Sequence, residues 1–179
     1  MQPLERRIFF ILVLVAGLAW IGISADSSGT QTKSVAAPQV GFLAPDFTLK
    51  TPSGESFTLS AQRGHPVLVN LWATWCPPCR AEMPTIQKVY DEYKDQGLVV
   101  LGINATNQDN ALAIAPFIDQ YHLTFPILLD ETGAVSQNYQ LRSLPSSYFI
   151  GRDGVVRDAV IGGPMPEALL RAHIEELLK

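Results

Sequence analysis

Cysteine occurs twice in this chain, as Cys76 and Cys79, with Pro77 and Pro78 between them. Two thiols at that spacing can close a small disulfide ring and exchange it with another disulfide by thiolate attack. Such exchange needs a sulfur that ionises near neutral pH. A helix start supplies the means, because its first N–H groups lack partners and carry partial positive charge. A thiol placed there titrates below its free value of about 8.5. Cys76 stands just ahead of an expected helix, and Cys79 lies one turn further on, where a resolving thiol is needed. Pro77 and Pro78 lack N–H groups, which costs little at helix positions whose donors are unpaired anyway. Three other uses of the pair stay open at this point. It could be a permanent bridge, although so short a loop closes little chain entropy. It could be half of a zinc site, or a dithiol that captures copper. His65, His122 and His173 are scattered and repeat no finger spacing. No metal or other cofactor is expected.

Two further positions could serve the same chemistry. Glu82 follows Cys79 by three residues, on one helix face. Partly buried, it could accept the proton of Cys79; fully solvated, it would be an ordinary surface glutamate. Leu144-Pro145 precedes an apolar stretch. Pro145 could mark a strand edge, or form a cis peptide that leaves the preceding backbone free to pair with a substrate strand. Pro84 falls inside the expected helix and should bend it.

The elements that must position these groups can be read from pattern. Phe47–Leu49 and Ser56–Leu59 flank a polar turn and predict a β-hairpin. Val67–Trp72 is a short apolar run, predicted to be a central strand that ends just before the cysteines. A helix is predicted from the cysteine motif to about Lys94, ended by Gly97. Leu98–Asn104 is the next buried strand, Asn110–Tyr121 a helix containing Pro116, and Pro126–Leu129 another strand. Ser147–Ile150 and Val155–Val160 flank Gly151-Arg152-Asp153-Gly154 as a second hairpin. Leu169, Leu170, Ile174, Leu177 and Leu178 give the segment Pro166–Lys179 a helical apolar face. Alternation of strand and helix followed by antiparallel pairing predicts an α/β sandwich around a mixed sheet.

Composition adds a compartment. The chain has 179 residues, 47% hydrophobic and 17% charged, with net charge -4. No basic stripe with interleaved aromatics supports nucleic-acid binding. One cysteine pair cannot staple a coreless disulfide scaffold. Residues Ile8–Ile23 carry no charge and no proline. That run is expected to be an uncleaved membrane anchor rather than a cleaved signal, since Ile23 spoils the small-x-small pattern before a cut at Ala25. Arg6 and Arg7 ahead of it predict that the rest of the chain is exported. The organisation expected is therefore a membrane anchor or signal segment over 1–25, a flexible polar linker over 26–40 and one domain over 41–179.

The segment Val69-Asn70-Leu71-Trp72-Ala73-Thr74-Trp75-Cys76-Pro77-Pro78-Cys79-Arg80-Ala81-Glu82-Met83-Pro84 resembles the thioredoxin superfamily, and within it the TlpA/ResA/DsbE-like thiol–disulfide oxidoreductases. Gly41–Phe47 resembles that group's N-terminal hairpin, and Leu144–Ile150 followed by Asp153-Gly154 its cis-proline loop and last hairpin. The resemblance spans about residues 41–178. It implies a thioredoxin-like fold, a mixed central sheet flanked by helices, with an added N-terminal β-hairpin and an N-terminal membrane helix. It implies Cys76 as nucleophile, Cys79 as resolving cysteine, Glu82 as active-site glutamate and Pro145 as the cis-proline, with Trp75, Pro77, Pro78, Leu144 and Pro145 beside the substrate. It implies disulfide-containing exported proteins as substrates, among them apocytochrome c during cytochrome c maturation, and a membrane thiol relay as reductant. Asn70 stands where ordinary thioredoxins carry a buried aspartate, which moves the proton-transfer role to Glu82. Three other activities fit the same resemblance. One is a disulfide oxidase or isomerase, and another a non-catalytic binding module. The third is a peroxidase, since Ala44-Pro45-Asp46-Phe47 also resembles peroxiredoxins, although no cysteine precedes Cys76.

Overall fold

The computed structural model describes residues 36–179. The expected anchor and residues 26–35 of the expected linker lie outside the described residues. No helix among the described residues is long and apolar enough to cross a membrane.

In chain order the elements are β1 (Thr48–Lys50), β2 (Ser56–Thr58), β3 (Val67–Trp72), α1 (Pro77–Tyr93), β4 (Val99–Asn104), α2 (Ala111–Tyr121), β5 (Ile127–Leu129), α3 (Ala134–Asn138), β6 (Ser146–Ile150), β7 (Val156–Ile161) and α4 (Glu167–Leu178). They build one seven-stranded sheet in the order β2-β1-β5-β4-β3-β6-β7. β3 is parallel to β4 and β4 to β5, whereas β6 runs antiparallel to β3 and β7 antiparallel to β6. β1 pairs antiparallel with β2 from Thr48↔Thr58 to Lys50↔Ser56, and joins the sheet through Lys50↔Leu129.

β3 is buried along its whole length, because both faces of the sheet are covered. On one face Leu68 and Trp72 pack with Met83, Ile86 and Val89 of α1, Phe117 of α2, and Leu170 and Ile174 of α4. On the other, Val67, Val69 and Leu71 pack with Leu101, Ile103, Leu128, Tyr139 and Tyr148. Strand alternation puts Asn70 on the same face as Leu68 and Trp72, under α1. It is the single polar residue of β3 and is fully buried.

Three features depart from the sequence pattern or add to it. α3 has only five residues, too few for a hydrophobic period to show. Its start is capped by the buried Asp130, whose carboxylate accepts from Val135 N (3.2 Å) and Ser136 N (2.8 Å). Second, α1 and α2 run through Pro84 and Pro116 without a break; both prolines lie on exposed positions. Third, residues 36–43 lie along the start of β7. Gly41 N–H donates to Val156 O and Val156 N–H to Phe42 O, both at 2.9 Å, so this strap pairs part of an otherwise open sheet edge.

Candidate active site

The cysteines sit where the central strand hands over to the first helix. β3 ends at Trp72, Ala73-Thr74-Trp75 turns the chain, and Cys76 is the N-cap of α1 with φ -83° and ψ 109°. Its Sγ accepts from Cys79 N–H at 3.3 Å, so the sulfur takes one of the helix's orphan donors. Pro77 and Pro78 occupy the first two helical positions. Cys76 and Cys79 form a disulfide, with Cα atoms 5.3 Å apart. Cys76 is 2% exposed and Cys79 fully buried, while Trp75 is 57% exposed. Of the two sulfurs, Cys76 is the one a partner can approach. Among the described residues no group of three or more His, Cys, Asp or Glu side chains is placed to hold a metal ion.

The turn ahead of Cys76 is tied to the loop after β4. Asp109 accepts from Thr74 N at 2.6 Å, from Thr74 Oγ1 at 2.5 Å and from Asn104 Nδ2 at 2.8 Å. Trp75 Nε1 donates to Gln108 O at 3.0 Å. From the helix side, Arg80 donates to Thr74 O at 3.2 Å. These bonds fix the backbone immediately before Cys76 on both sides.

Glu82 is not a solvated helix glutamate: it is 2% exposed. Its Oε1 accepts from Asn70 Nδ2 at 2.9 Å and its Oε2 from Met165 N–H at 3.1 Å. Asn70 Nδ2 also donates to Ser147 Oγ at 3.0 Å. Burial pushes the carboxyl pKa above the ordinary glutamate value, and the two hydrogen bonds only partly pull it back. Leu144–Pro145 is a cis peptide bond, and the buried Pro145 accepts from Gly162 N–H through its carbonyl at 2.8 Å.

A cleft of about 280 Å³ opens beside the sulfurs, between Trp75, Cys76, Pro77 and Pro78 on one wall and Gln108 and Leu141–Leu144 on the other. Of the residues expected at the site, Trp75, Cys76, Pro77, Pro78 and Leu144 meet there. Cys79, Glu82 and Pro145 do not line it; they form a buried layer. Sequence reasoning missed Gln108, Asp109, Arg142 and Met165. Asp109-Asn110 has the look of a helix cap, and Asn110 does cap α2 by accepting from Leu112 N, which hides the longer reach of Asp109. The contributions of Gln108 and Met165 are backbone groups, which carry no side-chain signal.

Comparison with known proteins agrees with this geometry. The pattern of the AhpC/TSA family matches residues 40–159. The thioredoxin-like protein YneN of Bacillus subtilis is 42% identical over 134 residues, 74% of this chain and 78% of that protein. The thiol-disulfide oxidoreductase ResA of Geobacillus kaustophilus is 33% identical over 177 residues, 99% of both chains. Among solved structures, a thiol:disulfide interchange protein DsbE from Chlorobium tepidum superposes with TM-score 0.73 at 29% identity, covering 79% of this chain and 99% of that one. StoA from Bacillus subtilis gives TM-score 0.64 at 30% identity, covering 73% and 96%. A mixed sheet of thioredoxin type, a disulfide at a helix start and these relatives agree: the chain belongs to the AhpC/TSA thioredoxin-like family and is a thiol–disulfide oxidoreductase of the ResA kind.

Proposed function

We propose that this protein reduces disulfides of exported proteins at the outer face of the cell membrane, by dithiol exchange through Cys76 and Cys79. In the reduced state the Cys76 thiolate attacks a substrate disulfide. A bond forms between Cys76 Sγ and one substrate sulfur, and the other leaves as a thiolate. Cys79 then loses its proton and attacks Cys76 Sγ. The mixed disulfide breaks, the second substrate thiolate departs, and the protein is left with the Cys76–Cys79 disulfide. Two electrons have passed to the substrate. Glu82, one turn beyond Cys79 on α1, takes the Cys79 proton; its raised pKa matches that task. Trp75, Pro77, Pro78 and Leu144 form the walls against which the substrate segment lies, and Pro145 holds Leu144 in place from behind.

In this reading residues 1–25 anchor the chain as a single membrane helix, 26–40 are a linker, and 41–179 carry the chemistry outside the cytoplasm. Apocytochrome c during cytochrome c maturation is the substrate that suits such a reductase, and a membrane thiol relay supplies its electrons. The observation that carries the proposal is the placement of Cys76 Sγ at the N-cap of α1, 3.3 Å from Cys79 N, beside a cleft that also holds Trp75 and Leu144.

The direction of transfer is tested by equilibrating the full-length protein with a thiol buffer. A potential near that of thioredoxin, about -270 mV, supports reduction, and one near that of DsbA, about -120 mV, overturns it. The partner is tested by expressing Cys79→Ala in cells and recovering mixed disulfides. Exported cysteine proteins linked to Cys76 are expected, and exclusively cytoplasmic ones would contradict the placement.

A further inference from the structure

The turn after β7 touches two parts of the site at once. Gly162 N–H donates to Pro145 O at 2.8 Å, and Met165 N–H donates to Glu82 Oε2 at 3.1 Å. Between them, a Cβ on Gly163 would stand 2.7 Å from Pro145 Cγ, 3.0 Å from Glu82 Oε2 and 3.1 Å from Pro145 Cδ. Gly162 needs its glycine for conformation, at φ +88°, whereas Gly163, which precedes the cis Pro164, has no positive φ. What Gly163 supplies is space, and the space is filled by the proline ring and the carboxylate.

We propose that Gly163 is a positioning residue for the exchange reaction: its bare Cα lets the 162–165 turn hold the Pro145 ring and the Glu82 carboxylate in one fixed arrangement. The proposal rests on Glu82 being the proton acceptor. A side chain at 163, backed by the Pro145 ring, pushes the carboxylate away from Met165 N–H and Asn70 Nδ2. The groups bonded to Glu82 are the Asn70 amide from β3, with Ser147 of β6 behind it, and the Met165 amide from the turn. No charged side chain contributes to its titration.

The test uses full-length protein in detergent and an aromatic disulfide whose released thiolate absorbs visible light. The first release reports attack by Cys76 and the second reports resolution by Cys79. Gly163→Ala is expected to slow the second release on the order of tenfold at neutral pH, as for a small misplacement of a reacting group, and to shift the pH midpoint of that step. Gly97→Ala is a control for backbone strain, since its φ is +95° and a Cβ there meets only His65, at 3.5 Å. It should lose stability and keep the midpoint. In a Glu82→Ala background Gly163→Ala should slow resolution no further; an undiminished second loss would make Gly163 merely structural and overturn the proposal. A pH profile that Glu82→Gln shifts and Gly163→Ala does not would overturn it while leaving Glu82 as acceptor. A profile that Glu82→Gln leaves unmoved would remove the acceptor and this proposal with it. Should Gly163→Ala not fold, the Met165 amide proton shift in the unmutated protein can still refute the proposal. It should follow the titration of Glu82 and lose that response in Glu82→Gln; a flat shift would overturn the proposal.

Discussion

Cys76 and Cys79 differ in access although only two residues separate them. The first borders the cleft and the second is sealed beneath it. That difference sets their expected behaviour on substitution. Cys76→Ala should abolish insulin disulfide reduction, with activity falling to the uncatalysed background. Cys79→Ala should keep the first attack and accumulate a mixed disulfide, visible as a mass increase on non-reducing analysis. Equal loss without any adduct would contradict the division of labour. Glu82 carries a second signature. An unfolded glutamate titrates near 4.3, and burial raises the folded value above that. Across the interval between the two, the folded chain holds a proton that the unfolded chain has lost, so stability must fall as pH rises through it. Glu82→Gln should flatten that decline in urea midpoints measured from about pH 4 to pH 8; an unchanged slope would assign the decline to other groups. At this scale the sequence was informative, because cysteine occurs only twice and both copies fall in one four-residue motif. Burial of Glu82 was not legible, since a helix glutamate reads the same whether α1 turns it toward Asn70 or toward water.

The start of α1 depends on elements far away in sequence. Asp109, in the loop after β4, holds the backbone of Thr74 through a carboxylate that also takes Asn104. Removing it leaves the buried Asn104 and the Thr74 N–H short of an acceptor, which costs about 1–3 kcal/mol for a buried unpaired group. Asp109→Ala should therefore lower the urea midpoint and slow attack by Cys76 roughly tenfold as the turn loosens. A slower attack with unchanged stability would mean that the carboxylate acts on the sulfur rather than on the turn. β3, β4 and α1 were legible because an apolar run, a glycine stop and a proline start are local signals. α3 was not, because its start is made by a side chain four residues upstream, Asp130, and its five residues are too few for a hydrophobic period to repeat.

Across the whole molecule the sheet order β2-β1-β5-β4-β3-β6-β7 places β3 and β4 at the centre. The layers on both faces lean on them, so Leu101→Ala in β4 should cost about 2–5 kcal/mol in urea unfolding. A loss below about 1 kcal/mol would mean that the Leu128 and Tyr139 layer collapses into the gap. Strand pairing of this kind is nonlocal, and the alternation of strand and helix predicted only a mixed sheet; the parallel neighbours of β4 and the Lys50↔Leu129 junction came from the structure. The same core fixes the direction of α1 and thereby aims its first turn at Cys76. The most direct test is the rate of alkylation of the reduced full-length protein against pH, with the modified sulfur identified by mass. Cys76 should react with a midpoint clearly below the free-thiol value of about 8.5, and Cys79 should stay unmodified. A midpoint at or above that value, or first reaction at Cys79, would contradict the account.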